Sequence, residues 1–183
     1  MDTASKSLDW VTSELIRYPR VLEKLQHEVK EIGQGRSMIV EEDLENMKYL
    51  KAAIKESLRL HIPAPLLAPR ISRQDVKLMG WAIGRYPRSW EEPEEFRPER
   101  FLENSISYKG LHFEWLPFGA DRRACPGIQF GVAIVELALA NIVYKFDLGL
   151  PNGVKHEDLD VSEKYGIVLH KKSPLVVTTS PRF

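Results

Sequence analysis

Phe118-Gly119-Ala120-Asp121-Arg122-Arg123-Ala124-Cys125-Pro126-Gly127 holds the only cysteine of the 183-residue chain and runs straight into its longest apolar helical pattern. One thiol cannot form an intramolecular disulfide, so Cys125 is an inert buried side chain, a nucleophile or a metal ligand. Pro126 suits a first helical position, and Ile128, Val132, Val135, Leu139 and Val143 belong to a helix that is apolar round most of its circumference. This reading puts Cys125 at a helix N-terminus. Unpaired N–H groups and aligned peptide dipoles there favour an anionic sulfur, and Arg122 and Arg123 add positive charge.

The decapeptide resembles the haem-binding signature of the cytochrome P-450 monooxygenases, F-x-x-G-x-R-x-C-x-G. Phe118, Arg123, Cys125 and Gly127 match it; Asp121 stands where the pattern has glycine. Pro117, Pro126 and the paired arginines resemble the plant microsomal branch. The resemblance implies that Cys125 is the axial thiolate of haem iron, that Phe118 shields the sulfur and that Arg123 holds a haem propionate. It also places Asp121 in a tight bulge, where Asp tolerates a left-handed backbone better than most residues. A carboxylate there stands near an anionic sulfur and the propionates.

Working outward toward the N-terminus, Tyr49 to His61 read as a helix with Leu50, Ile54, Ser57, Leu58 and His61 along one side. Glu56 and Arg59 are three apart, the spacing of an ordinary surface ion pair. Glu56-Ser57-Leu58-Arg59-Leu60-His61 followed by Pro63, Pro65 and Arg70, with Pro98-Glu99-Arg100-Phe101 further on, resembles the second and third motifs of the same family. The resemblance implies that Glu56, Arg59 and Arg100 form a buried structural network and that Arg70 faces a propionate. Ala4 to Arg17 carry a helical pattern, and a second helix with Leu22, Leu25, Val29 and Ile32 follows the break at Tyr18-Pro19. Asp2 and Thr3 read by themselves as helix-start residues. In the family an acid and an alcohol at this point of the distal helix help deliver protons to iron-bound oxygen, so Asp2 and Thr3 are the candidate catalytic pair.

Glu41, Glu42 and Asp43 open a short helix. Val76 to Gly80 read as an edge strand, and the family pattern is interrupted between Gly80 and Trp81, where a second strand is expected and missing. Pro87 to Glu103 form an irregular packed loop with Trp90, Phe96 and Phe101 as core anchors. Gly166 to His170 and Leu175 to Thr179 read as a hairpin joined across Lys171 to Pro174.

Lys plus Arg number 26 and Asp plus Glu number 26, so there is no basic field for nucleic acid and no acidic tail. The N-terminus reads as neither a signal peptide nor a membrane anchor, and Glu136 and Asn141 interrupt the apolar helix, so no span is expected. The five histidines show no zinc-ligand spacing with Cys125.

The expected fold is mainly α with a few short β-strands, a single partial domain over 1–183 equivalent to the C-terminal part of the cytochrome P-450 fold. The function implied by the resemblance is a haem-thiolate monooxygenase fragment binding haem b through Cys125. Its parent reaction inserts one oxygen atom into a small apolar organic substrate, with electrons from NADPH–cytochrome P-450 reductase, at the endoplasmic reticulum membrane. By itself the chain is expected not to turn over substrate. The alternatives are a non-catalytic remnant or interaction module and, further off, a cysteine hydrolase, for which no local base is marked.

Overall fold

The protein is described by a computed structural model covering residues 2–65, 83–151 and 153–182. Four α-helices dominate: α1 (Asp2–Arg17), α2 (Pro19–Ile32), α3 (Lys48–Leu60) and α4 (Ile128–Lys145). Pro19 breaks the chain between α1 and α2 and then occupies the first turn of α2, where its missing N–H would have had no partner anyway. Leu22, Leu25 and Val29 form the buried stripe of α2. The segment Glu41–Asn46 is a 3-10 helix, whose Asp43 carboxylate accepts the Val40 N–H at 3.1 Å.

The centre of the fold is α3, which is in contact with α1, α2 and α4. It has no side-chain cap of its own. Glu28 of α2 supplies one instead, accepting the N–H groups of Tyr49 at 2.7 Å and Leu50 at 2.9 Å. A carboxylate at this end satisfies orphan donors and complements the helix dipole. Trp10, Leu15, Leu25, Leu50, Ile54 and Leu139 are the fully buried anchors that lock the four helices together.

Two small antiparallel sheets follow. β1 (Phe146–Gly149) pairs with β4 (Thr178–Pro181), and β2 (Glu163–Lys164) pairs with β3 (His170–Lys171). The hairpin expected between 166–170 and 175–179 therefore does not form. The chain turns back within 165–169, bringing β2 against β3, while β4 pairs with β1, which leaves α4 without a break. Alternation of apolar residues tells which face of a strand is buried; it does not choose the partner. The strand expected at Val76–Gly80 lies outside the described residues, as does the interruption at Gly80-Trp81.

α4 departs from expectation in another way. It is apolar all round, with a mean hydropathy of 1.4, and among the described residues it is the one helix long and apolar enough to cross a membrane by composition. Val135, Leu139, Ala140 and Val143 pack into the core, but Phe130 stays 74% exposed. Asn141, which looked like an interruption, has a use: its side chain accepts the Ile39 N–H at 3.1 Å and donates to the Ile39 carbonyl at 3.0 Å. That clamp ties α4 to the segment after α2.

Candidate cofactor site

A buried charge network ties α3 to the segment that follows Ile83. Glu56 and Arg59 have side chains with no exposed surface. All five guanidinium N–H groups of Arg59 are used: two on the Glu56 carboxylate at 2.8 and 2.9 Å, and three on the carbonyls of Gly84 (2.6 Å), Pro93 (2.7 Å) and Glu95 (3.0 Å). Glu56 also accepts the backbone N–H of Arg97 and the Nε of Arg100, each at 2.9 Å. The irregular segment 84–101 has no ladder of its own. The carbonyls of Gly84, Glu91, Glu92, Pro93 and Glu95 accept from the side chains of Arg59 and Arg100, which anchors Trp90, Phe96 and Phe101 in the core.

From Phe101 a column of aromatic rings leads to the cysteine loop. Phe101 meets Trp115 at 5.2 Å, Trp115 meets Tyr108 at 5.1 Å, and Tyr108 meets Phe118 edge-on at 5.5 Å. Lys55 Nζ lies 5.8 Å from the Tyr108 ring and donates to the Ile106 carbonyl at 2.7 Å, holding this column against α3. Burial, which is the larger cause, and the nearby Glu136 charge push the Tyr108 hydroxyl far above its ordinary range.

Beyond Phe118 the chain makes a closed loop. Cys125 N–H donates to the Phe118 carbonyl at 2.9 Å, and Ala124 N–H donates to the Asp121 carbonyl at 3.0 Å. Gly119 and Asp121 both have left-handed backbones, with φ of +73° and +58°. Asp121 thus adopts the conformation that glycine would take there, and it also opens the 3-10 turn Asp121–Arg123. α4 starts at Ile128 with Gly127 as its N-cap, so Pro126 precedes the helix rather than opening it. Cys125 is solvent-exposed on the loop, three residues before the first helical residue. A Cβ at Gly127 would lie 4.0 Å from Cys125 Sγ, in ordinary van der Waals contact with the sulfur.

A cavity of about 360 Å3 opens over this loop. α1 contributes Thr3, Ala4 and Ser7, α3 contributes Ile54 and Leu58, the loop contributes Phe118, Arg123 and Cys125, and α4 contributes Gly131, Val132 and Val135. The wall is apolar, with one thiol, one guanidinium and two hydroxyls. Of the candidate residues, Thr3, Phe118, Arg123, Cys125 and Gly127 thus share one cavity. Asp2 opens α1, but its side chain lies outside the described part of the molecule, and so does Arg70. Sequence reasoning missed Ser7, whose Oγ donates to the Thr3 carbonyl at 3.0 Å. The signal was its spacing, one helical turn past Thr3. Among the described residues no cluster of three His, Cys, Asp or Glu side chains could hold a metal ion.

The cytochrome P-450 family model matches residues 1–177. The chain is 65% identical to cytochrome P-450 Tp4149 of Tanacetum parthenium, across all of this chain and 40% of that protein. It is 53% identical to psoralen synthase of Ammi majus, across 98% of this chain and 39% of that protein, and 52% identical to (+)-menthofuran synthase of Mentha piperita, across 99% and 39%. Among solved structures, a zebra fish cytochrome P-450 with abiraterone superposes with a TM-score of 0.84 at 29% identity, covering 99% of this chain and 45% of that one. The chain spans about two fifths of the length of the curated relatives it matches. The stretch aligned with the Tanacetum protein is 196 residues long, more than the 183 here, so this chain is shorter within the matched region.

Proposed function

The chain belongs to the cytochrome P-450 family, and on that premise we propose that it is the haem-binding part of a haem-thiolate monooxygenase, with Cys125 as the iron ligand. The observation that carries this reading is that Cys125 and Thr3, 122 positions apart in sequence, line one apolar cavity. The donor set fits haem b: a soft anionic sulfur for iron, a guanidinium at Arg123 for a propionate, and aliphatic side chains for the macrocycle. When bound, the haem supplies oxygen activation, favoured by electron donation from the thiolate.

The chain's own residues have separable tasks. Phe118, held edge-on by Tyr108, would shield the sulfur side, and Gly127 lies beside Cys125 in the same cavity wall. Arg123, in the cavity wall, would hold a propionate by a charge-assisted hydrogen bond, and the family resemblance gives Arg70 the same role. Thr3, with the carboxyl of Asp2 beside it in sequence, passes protons into the cavity from α1. Ile54, Leu58, Val132 and Val135 keep the opposite walls dry.

For the full-length protein the proposed substrate is a small apolar organic molecule, the proposed electron donor is NADPH–cytochrome P-450 reductase and the proposed location is the endoplasmic reticulum membrane. Two relatives are named for small organic products, psoralen and menthofuran, which supports the substrate class. A second reading, a non-catalytic remnant, is favoured by one feature: Asp121 holds a left-handed backbone in the cysteine loop where the family pattern has glycine, and its negative charge raises the electrostatic cost of binding an anionic cofactor nearby. One experiment separates the two. Haem is added to the chain, the iron is reduced and carbon monoxide is supplied. Thiolate ligation gives a red-shifted Soret band that Cys125→Ser abolishes, whereas a remnant gives no such band.

A further inference from the structure

Two buried donors stand unpaired in the aromatic column. The Tyr108 hydroxyl and the Trp115 indole N–H are closed to solvent, and neither has a hydrogen-bond partner among the described residues. Trp115 is only 1% exposed. Tyr108 is partly buried as a residue, with its hydroxyl end inside. The rings are neighbours, with centroids 5.1 Å apart and 40° between their planes. Neither lines the cavity over Cys125.

A buried donor left unpaired costs its full desolvation penalty, and native interiors rarely keep one, so two in adjoining side chains call for a partner. The indole N–H only donates, and burial together with the Glu136 charge holds the phenol protonated. Lys55 Nζ, 5.8 Å from the Tyr108 ring, is a further donor and is already bound to the Ile106 carbonyl. The place therefore lacks an acceptor. The Glu136 charge that reaches the Tyr108 hydroxyl opposes a second anion there, and an apolar molecule would leave both donors unpaired. What fits is a small neutral molecule with lone pairs to accept and hydrogens of its own to turn toward an anion. We propose that Tyr108 and Trp115 together hold one internal water, bound by the phenol O–H and the indole N–H. Buried waters make about three hydrogen bonds, and the Glu136 charge orients the water's own hydrogens toward α4.

The water site bears on the cysteine loop through packing. Tyr108 meets Phe118 edge-on at 5.5 Å, and the Phe118 carbonyl accepts the Cys125 N–H at 2.9 Å. Holding the Tyr108 hydroxyl fixes the ring against which Phe118 rests, and with it the start of the loop. The site is independent of haem binding.

Oxygen magnetic relaxation dispersion on the full 183-residue chain counts its long-lived internal waters. Tyr108→Phe, which keeps the ring and removes the hydroxyl, is expected to lose one of them. Trp115→Phe should lose the same one, so the double variant loses one water and not two. Should Trp115→Phe fail to fold, Tyr108→Phe decides alone. Stability gives a second readout, because it separates a bonded hydroxyl from an orphaned one. Deleting a bonded hydroxyl should raise the unfolding equilibrium constant of Tyr108→Phe about fivefold, read from urea unfolding, whereas deleting an unpaired one would lower it. An unchanged water count in Tyr108→Phe, two waters lost in the double variant, or a Tyr108→Phe chain as stable as the parent or more so would each overturn the proposal.

Discussion

Glu56 on α3 accepts a hydrogen bond at 2.9 Å from the Nε of Arg100, 44 residues further along the chain. The same oxygen accepts from Arg59 and from the Arg97 backbone, so one carboxylate joins α3 to the 3-10 turn Pro98–Phe101 and the residue that precedes it. Removing Glu56 leaves Arg59 and Arg100 without their shared counter-ion, and removing Arg100 leaves the buried Glu56 carboxylate with Arg59 as its remaining ion-pair partner among the described residues. Glu56→Ala and Arg100→Ala should each cost about 3–5 kcal/mol. The double variant should cost less than the sum by about 1–3 kcal/mol, read from urea unfolding of all four proteins. Additive losses would show that the two side chains act apart.

Gly84 is a second anchor of the same network. A Cβ at this position would lie 2.2 Å from the Arg59 carbonyl oxygen, while the Gly84 carbonyl accepts from Arg59 at 2.6 Å. Backbone on both sides leaves no flexible group to give way. Gly84→Ala should therefore destabilise the chain by about 3 kcal/mol, at the upper end of overpacking costs. A melting temperature equal to that of the parent chain would contradict the close approach.

Asp121 carries a left-handed backbone at φ +58° inside the cysteine loop. Asp121→Gly removes the steric cost, about 1 kcal/mol for an L-residue in this region, and removes a negative charge four positions before Cys125. The variant is expected to bind haem more tightly than the parent in a direct titration. Equal affinity would mean that the loop holds Asp at no expense to the cofactor.

Glu136 sits in the buried face of α4. Burial raises its carboxyl above the ordinary range, and the charges of Lys51 and Lys55 only partly offset this. A group whose folded-state value is raised contributes stability in acid, below its unfolded value, and loses it as pH climbs through the folded value. Glu136→Gln should thus be more stable than the parent at neutral pH, and the two should converge as pH falls through the carboxylate range. Denaturant melts across that range measure the difference. A gap that widened in acid would reverse the assignment.

The sequence by itself determined the helices and the identity of the chemical groups. Helical spacing in 4–17, 22–32 and 49–61 and the apolar run after Gly127 are properties of neighbouring residues, so they survive without knowledge of the fold. The decapeptide ending at Gly127 marked the cysteine loop for a similar reason. Its left-handed positions are local, and Asp121 was legible as a residue able to take one. Strand pairing was not legible, because β1 and β4 pair residues 29 to 35 positions apart and either could have paired elsewhere with the same alternation. Nor could the sequence show that Asn141 clamps Ile39, that every N–H of Arg59 is spent, or that both nitrogens of His61 face carboxylates. Those facts depend on which backbone groups lack a partner once the helices have packed. Satisfying buried polar groups is a property of the assembled interior, and only the tertiary structure decides it.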